Sequence, residues 1–171
     1  TVTDKTGNPI THPYFIHDSY DSSDVINHFD WTKATDDSKH PVSVKTRLYT
    51  AGLIALRRST DAFRHGTRAA VDSHLKLLNK PHDPSESDHV IAYRCEAENG
   101  DQYYVFVNSD EVSRTLFPGT DLSNDVILVD REQAGVEPLA EPVGVSVTPD
   151  EITLDPLTAT VIKRLNPQLP N

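Results

Sequence analysis

One hairpin constrains this chain more than any other feature. His89-Val-Ile-Ala-Tyr-Arg-Cys-Glu-Ala97 and Gln102-Tyr-Tyr-Val-Phe-Val-Asn108 are runs of β-forming residues, and Asn99-Gly100 lies between them. Asn-Gly flanked by β-rich runs is the strongest short-range hairpin signal. In the first run Ile91, Tyr93, Cys95 and Ala97 share one face, with Arg94 and Glu96 on the other. Further short runs follow at Ser113 to Phe117, Val126 to Val129, Gly144 to Val147, Glu151 to Leu154 and Thr158 to Leu165. Pro149-Asp150 marks a tight turn and Pro156 a break. Upstream, His74 to Asn79 opens the β character, and Lys80 to Asp88, with Pro81 and Pro84, reads as an exposed loop. Seven or eight short strands with turn chemistry and no helix between them predict an antiparallel β-sandwich, not a parallel sheet. The expected fold is therefore mainly all-β.

The first forty residues behave differently. Thr1 to His40 shows almost no periodicity; Gly7, Pro9 and Pro13 punctuate it, and Asp18, Asp21, Asp24, Asp30, Asp36 and Asp37 follow. A segment this long without a pattern is usually functional or belongs to a larger structure. One helical turn is expected near Ser22 to Asp24, which are good N-caps. Pro41 then opens the strongest helix, with Ser38 or His40 at the cap. Tyr49, Gly52, Leu53 and Leu56 form one apolar stripe, and Arg57 and Arg58 suit the C-terminal end. Ser59-Thr60-Asp61 supplies a second cap and a short turn through Phe63, and Thr67 to Ser73 predicts a short helix. The one-sided helix has no partner helix in the chain, which is the pattern expected when the natural partner lies elsewhere.

Composition narrows the classes of partner. The 36% apolar content supports a modest core. A net charge of −10 repels phosphate backbones and anionic membranes, which argues against a nucleic-acid partner and membrane contact. It leaves neutral ligands such as sugars open. Cys95 is the only cysteine, so an internal disulfide is excluded. No apolar run is long enough to span a bilayer, and no signal-peptide pattern is present. The chain starts at Thr1 and contains no Met, so it is expected to be a piece of something longer, with any targeting signal elsewhere.

The chemistry-bearing residues crowd into His12 to Trp31, which holds the only Trp. Asp18, Asp21 and Asp24 lie three residues apart. Glycoside hydrolysis needs two carboxylates held several ångströms apart across a bond; this spacing in a loop does not establish that and fits caps and Asx-turns better. It does not fit the alternating oxygen ligands and central Gly of a calcium loop. Eight histidines are scattered without helical i, i+4 pairs or assisting cysteines, so surface and hydrogen-bonding roles are expected rather than a metal site. Among the aromatics, Phe29 and Trp31 are expected to anchor the loop on the helix stripe, and Tyr20, between polar residues, is the better sugar platform. Cys95 alternates inward and reads as a structural thiol. Neither a Gly-rich phosphate loop nor a nucleophile elbow is present.

These residues carry a family resemblance. Tyr14-Phe-Ile-His-Asp-Ser-Tyr-Asp-Ser-Ser-Asp-Val-Ile-Asn-His-Phe-Asp-Trp31 resembles the loop after the eighth barrel strand of type I pullulanases. Tyr49-Thr-Ala-Gly-Leu-Ile-Ala-Leu-Arg-Arg-Ser-Thr-Asp-Ala-Phe-Arg64 resembles the last barrel helix of the α-amylase superfamily. The hairpin and Leu157-Thr-Ala-Thr-Val-Ile-Lys163 are similar to the sandwich that closes such enzymes, and Val129-Asp-Arg-Glu-Gln-Ala-Gly135 resembles Gram-positive, streptococcal-type surface pullulanases.

The resemblance implies a C-terminal fragment with two parts: residues 1–65 as the last loop and helix of a catalytic (β/α)8 barrel, and residues 66–171 as a C-terminal β-sandwich. It implies a parent that hydrolyses α-1,6 branch linkages in pullulan, glycogen or starch, is extracellular or cell-surface, and needs no cofactor, with room for calcium. The family's catalytic Asp, Glu and Asp motifs are absent from this chain, so no catalytic residue is assigned. Asp24-Val-Ile-Asn27-His28 looks like the family's first signature but is one residue short and stands before the last helix. By resemblance, Tyr20, Asp21, Ser22 and Asp24 would face the α-glucan cleft, with Asp21 and Asp24 accepting hydrogen bonds from sugar hydroxyls. The rest of the barrel would be the main protein partner. The alternative is a carbohydrate-binding sandwich without chemistry, for which Tyr93, Tyr103, Tyr104 and Phe106 are the available aromatics, although alternation splits them between faces.

Overall fold

A computed structural model of the chain describes residues 20, 23–78 and 89–166. In these, four helices precede or open onto eight strands. The helices are α1 (Asp24–Asn27), α2 (Trp31–Thr35), α3 (Pro41–Ser59) and α4 (Arg68–His74). The strands are β1 (Leu75–Leu77), β2 (Val90–Glu96), β3 (Gln102–Asn108), β4 (Arg114–Leu116), β5 (Val126–Val129), β6 (Val145–Val147), β7 (Ile152–Leu154) and β8 (Thr158–Arg164). A five-stranded antiparallel sheet runs β1-β2-β3-β8-β5, and a three-stranded antiparallel sheet runs β4-β7-β6. The strand boundaries follow the turn residues closely, and the β-sandwich expected from them is the fold.

The centre of the five-stranded sheet is buried on both faces, while β1 at its edge is exposed. Val90, Ala92, Tyr104, Phe106 and Ile162 meet Leu116, Leu122, Ile152 and Leu154 in the core between the sheets. On the opposite face Cys95, Ala97, Tyr103, Val105, Leu128, Val129 and Val161 pack with Leu56 and Ala62. The sheet is thus the middle of three layers, with α3 and the turn after it on one side and the small sheet on the other. Two-sided burial explains why β3 reads as a continuous apolar run (Tyr103 to Val107) rather than an alternating one.

Turn chemistry holds the register. The β2–β3 loop spans Glu98 to Gly100: Gly100 N–H donates to the Ala97 carbonyl at 2.8 Å, and Ala97 N–H donates to the Asp101 carbonyl at 2.9 Å. Gly100 sits at φ +86°, the left-handed position that closes such three-residue loops. Asp130, fully buried, accepts from Glu132 N–H and Gln133 N–H at 2.7 Å and Val143 N–H at 2.8 Å, folding the loop after β5 back on itself. Asn108, also buried, donates to the Val112 and Asp155 carbonyls, both at 2.9 Å, and so joins the exits of β3 and β7. Each replaces ladder hydrogen bonds that an irregular buried backbone would otherwise lack.

Helix α3 corrects one expectation: its apolar stripe does have a partner within the chain, and that partner is the sheet. Tyr49 Oη donates to the Asp130 carbonyl at 2.9 Å, Leu56 is buried in the sheet core, and Gly52 lies so close that a Cβ there would collide with the Ala134 carbonyl. Lys45 pairs with Glu132 beside this contact. His40 occupies the N-cap without a side-chain cap bond, and Pro41 supplies the first helical residue. The segment before α3 also contains a helix that periodicity did not reveal, α2, whose N-terminus is capped by Asp30 accepting from Thr32 N–H at 2.9 Å.

Candidate functional site

Of the segment singled out by its aromatics and carboxylates, the described residues are 20 and 23–31, and His28, Phe29 and Asp30 lie along one side of α3. Tyr20 is in a turn and is 95% exposed. Asp24 is the first residue of α1 and is exposed. Asp21 and Ser22 lie outside the described residues. A single helical turn is therefore present where Ser22 to Asp24 predicts one, and His28 Nδ1 donates to the Asp24 carbonyl at 2.5 Å at its end. Asp24 is accordingly free at its carboxylate to accept hydrogen bonds only through an exposed, solvated surface, where one contact contributes little on its own.

Phe29 and Trp31 do not lie on the Tyr49–Leu56 stripe. They stack edge to face with ring centroids 4.8 Å apart and an interplanar angle of 68°, and they are 63% and 68% exposed. The reason is that the stripe faces the sheet, and α2 approaches α3 from another side. Arg47 Nε donates to the Ala34 carbonyl at 2.8 Å, and Ala34 is buried in that contact. Between the two helices runs an open groove of about 740 Å³, walled by Phe29, Asp30 and Lys33 on one side and Val42, Thr46 and Ile54 on the other.

Two carboxylates flank α2: Asp30, on the groove wall, and Asp36, past its C-terminal end. The little burial at Asp30 would raise its carboxyl, but the Thr32 and Lys33 N–H groups outweigh it and hold the group below the ordinary carboxylate range. At Asp36 the Ser38 hydroxyl is the main cause of a lowered value, supported by Lys39. Asp30 is the N-cap of α2, whereas Asp36 follows its C-terminal end and is held by the Ser38 hydroxyl and the Lys39 ammonium.

A second groove, of about 570 Å³, lies between α3 and the sheet, with Leu53, Leu56, Phe63, Val71 and Tyr93 among its walls. Burial raises the Tyr49 and Tyr93 phenols and the Cys95 thiol, so Cys95 is a poor nucleophile, as its inward position predicts. His65 and His74 stack at its rim, centroids 4.9 Å apart. Each has a carbonyl partner: His65 Nε2 donates to Glu96 O at 3.1 Å and His74 Nδ1 to Ala70 O at 3.0 Å. Among the described residues no group of three or more His, Cys, Asp and Glu side chains is placed to hold a metal ion. None of the described helices is long and apolar enough to cross a membrane. Of the four aromatics available for a sugar-binding sandwich face, Tyr103, Tyr104 and Phe106 are 3%, 3% and 0% exposed and belong to the core, and Tyr93 is half-buried against it.

Reasoning from sequence missed the groove wall. Its signal was legible: Val42, Thr46, Thr50 and Ile54 recur every four residues and form a second stripe on α3, distinct from Tyr49–Leu56. Asp30 directly before Trp31-Thr-Lys-Ala-Thr35 marks the capped helix that faces it.

Comparison with known proteins places these features in a family. The profile of the SpuA C-terminal family matches residues 74–165. Pullulanase A of Streptococcus pneumoniae is 48% identical over 167 residues, which cover 95% of this chain and 13% of that protein. The Group B Streptococcus pullulanase SAP is 51% identical, with a TM-score of 0.82 over 90% of this chain and 20% of that one; it has also been solved in complex with maltotetraose. A product complex of SpuA, described as a multi-modular glycogen-degrading pneumococcal virulence factor, is 48% identical, with a TM-score of 0.82 over 95% of this chain and 17% of that one. The chain spans less than a quarter of each of these relatives. With its family profile covering residues 74–165 and its sandwich superposing on streptococcal pullulanases, this chain belongs to the SpuA C-terminal family.

Proposed function

We propose that this chain is the C-terminal portion of a secreted pullulanase-type debranching enzyme, extracellular or held at the cell surface, that hydrolyses α-1,6-glucosidic branch linkages in pullulan, glycogen or starch. Two carboxyl groups would act with retention through a covalent glycosyl intermediate, and both would lie upstream of this chain. The chain itself is then non-catalytic. Residues 1–65 complete the catalytic barrel as its last loop and helix, and residues 66–171 close it as a mainly structural sandwich. The reading requires no cofactor in this segment.

The observation that supports this reading is the half-covered state of α3. Its inner face fits the sheet, while Val42 (76% exposed), Ile54 (54%) and the nearby Phe29 and Trp31 face solvent. Contiguous exposed apolar surface of this kind marks a protein-binding face, and the remainder of a barrel is the partner that fits a helix flanked by an acidic, aromatic loop. Tyr20, Asp21, Ser22 and Asp24, at the start of that loop, would contribute hydroxyl and carboxylate contacts to the glucan.

The test has two arms. The purified 171-residue chain is expected to release no reducing sugar from pullulan and not to co-sediment with insoluble starch. Hydrolysis by the chain alone would overturn the non-catalytic role, and sedimentation with starch would favour a glucan-binding module. In the complete enzyme, Asp21→Ala and Asp24→Ala are expected to raise KM for pullulan with a smaller effect on kcat. An unchanged KM in both would remove this loop from the glucan site.

A further inference from the structure

The turn that sets the register of the central sheet also carries a chemical liability. In an Asn-Gly pair the backbone nitrogen of the glycine can attack the side-chain amide carbon of the asparagine, because glycine has no side chain to hinder the approach or to restrict the backbone. Asn99 is exposed in the β2–β3 loop, so water reaches it. Yet every group that must move is held. Gly100 N–H, the attacking nitrogen, donates to the Ala97 carbonyl at 2.8 Å. Asn99 Oδ1, on the carbon to be attacked, accepts from Asp101 N–H at 3.0 Å. The Asn99 carbonyl accepts from Asn166 Nδ2 at 2.8 Å, and Asn166 N–H donates to Asp101 Oδ1 at 3.0 Å. The segment just past β8 therefore clamps the turn from outside, and the Asn166 carboxamide occupies the space a Gly100 Cβ would fill.

We propose that Asn99 is a deamidation site gated by the fold of this hairpin: protected while the β2–β3 turn and its Asn166 clamp are closed, and converted irreversibly once they open. In the step itself Gly100 N loses its proton to solvent and bonds to Asn99 Cγ. The Cγ–Nδ2 bond breaks, the nitrogen leaves as ammonia, and a five-membered succinimide remains. Water then adds to one of the two ring carbonyls, and the ring opens to aspartate or isoaspartate. Water is the only co-reactant, and no redox change occurs. The isoaspartate product routes the main chain through the former side chain and lengthens the three-residue loop by one backbone atom. That loop can no longer keep both the Ala97–Asp101 pairing and the β2–β3 register, in which Cys95 opposes Tyr103 and Glu96 opposes Gln102. Opening of the sheet is thereby recorded as a covalent mark. The inference rests on the turn alone and does not depend on the enzyme reading above.

The test ages the 171-residue chain in mildly alkaline buffer under native conditions and in concentrated urea, with peptide mass spectrometry resolving Asn, Asp and isoaspartate at position 99. Deamidation is expected to be on the order of tenfold or more slower in the native protein, because conversion must wait for local opening. Asn166→Ala, aged natively, is expected to fall between the two while its far-UV circular dichroism stays that of the parent chain. Equal native and urea rates would overturn the gating, and no conversion in urea would overturn the site. A native Asn166→Ala rate equal to that of the unsubstituted chain would overturn the clamp.

Discussion

Strand β3 and helix α3 are both rich in apolar residues and dispose of them in opposite ways. In β3, Tyr103, Tyr104, Val105 and Phe106 are all buried. In α3 only Val44 and Leu56 are buried, whereas Val42, Leu48, Leu53 and Ile54 are exposed. The strand has neighbours on both faces supplied by the sandwich itself, since β2 and β8 flank it and the two cores sit above and below. The helix has the sheet on one face and only the short α2 beside another, which leaves Val42 and Ile54 open. A sandwich can thus be self-sufficient at this chain length, and a single amphipathic helix laid on its outer face cannot cover its own far side.

The comparison is broken most decisively by large-to-small substitution. Phe106→Ala, at a fully buried position between the sheets, is expected to cost about 3–5 kcal/mol in urea unfolding. Ile54→Ala, on the open side of α3, is expected to change stability by less than about 0.5 kcal/mol. Comparable losses from the two would mean that the open face is a core after all. Next in size is Asp130→Ala, which removes the acceptor of three buried-loop N–H groups and is expected to cost about 3 kcal/mol. An Asp130→Ala chain with the parent's urea midpoint would show that the loop after β5 is held by something else.

The inner face of α3 can be tested by overpacking. Gly52→Ala places a methyl group against the Ala134 carbonyl and is expected to cost about 2 kcal/mol. The same change at an exposed helix glycine would stabilise. The sign of the effect on thermal unfolding therefore reports whether α3 stays docked on the sheet. Tyr49→Phe, which deletes the hydroxyl donated to the Asp130 carbonyl, should cost about 1 kcal/mol, read from the urea midpoint.

The smallest expected effect is in pH dependence, and it also belongs to the sandwich. Burial would raise the Asp101 carboxyl, but the Asn166 N–H and the Lys163 ammonium, 3.1 Å away, outweigh it and hold the value low. For Lys163, burial lowers the value and the Asp101 contact more than restores it, so the net shift is upward. A lowered carboxyl contributes stability above its unfolded value, about 3.9, and loses it as pH falls through the folded value. A raised ammonium contributes below its unfolded value, about 10.4, and loses it as pH rises through the folded one. Asp101→Asn should therefore flatten the acid limb of the stability curve below about pH 4 and leave the region near neutrality parallel to that of the parent chain. An acid limb unchanged in Asp101→Asn would show that this pair does not contribute to acid stability.

Much of the sandwich was legible because its signals are local. Asn99-Gly100, Pro149-Asp150 and Pro156 sit at the β2–β3, β6–β7 and β7–β8 connections, and the strand runs between them match β2 to β8 within a residue or two at each end. The same holds for Pro41 at the start of α3 and for the short helix α4. The candidate site was less legible. Tyr20 and Asp24 are exposed and Asp21 and Ser22 lie outside the described residues, while the anchoring assigned to Phe29 and Trp31 fails, because an apolar stripe on a helix does not say which neighbour will take it. The second stripe, Val42 to Ile54, is polar enough at Thr46 and Thr50 to pass for a solvated face.

What the sequence by itself determined was the list of strands, the hairpin turn at Asn99-Gly100 and the membership of α3 in the fold, because turn residues and side-chain periodicity act over a few bonds and need no partner to be read. What only the tertiary structure decided was the layering. The sheet became the middle of three layers because both of its faces are apolar and each found a cover, α3 through Tyr49, Gly52 and Leu56 on one side and β4-β7-β6 on the other. Burial is a property of which surfaces meet, and residues brought together over long sequence separations, such as Tyr49 with Asp130 or Asn99 with Asn166, leave no local trace of the meeting.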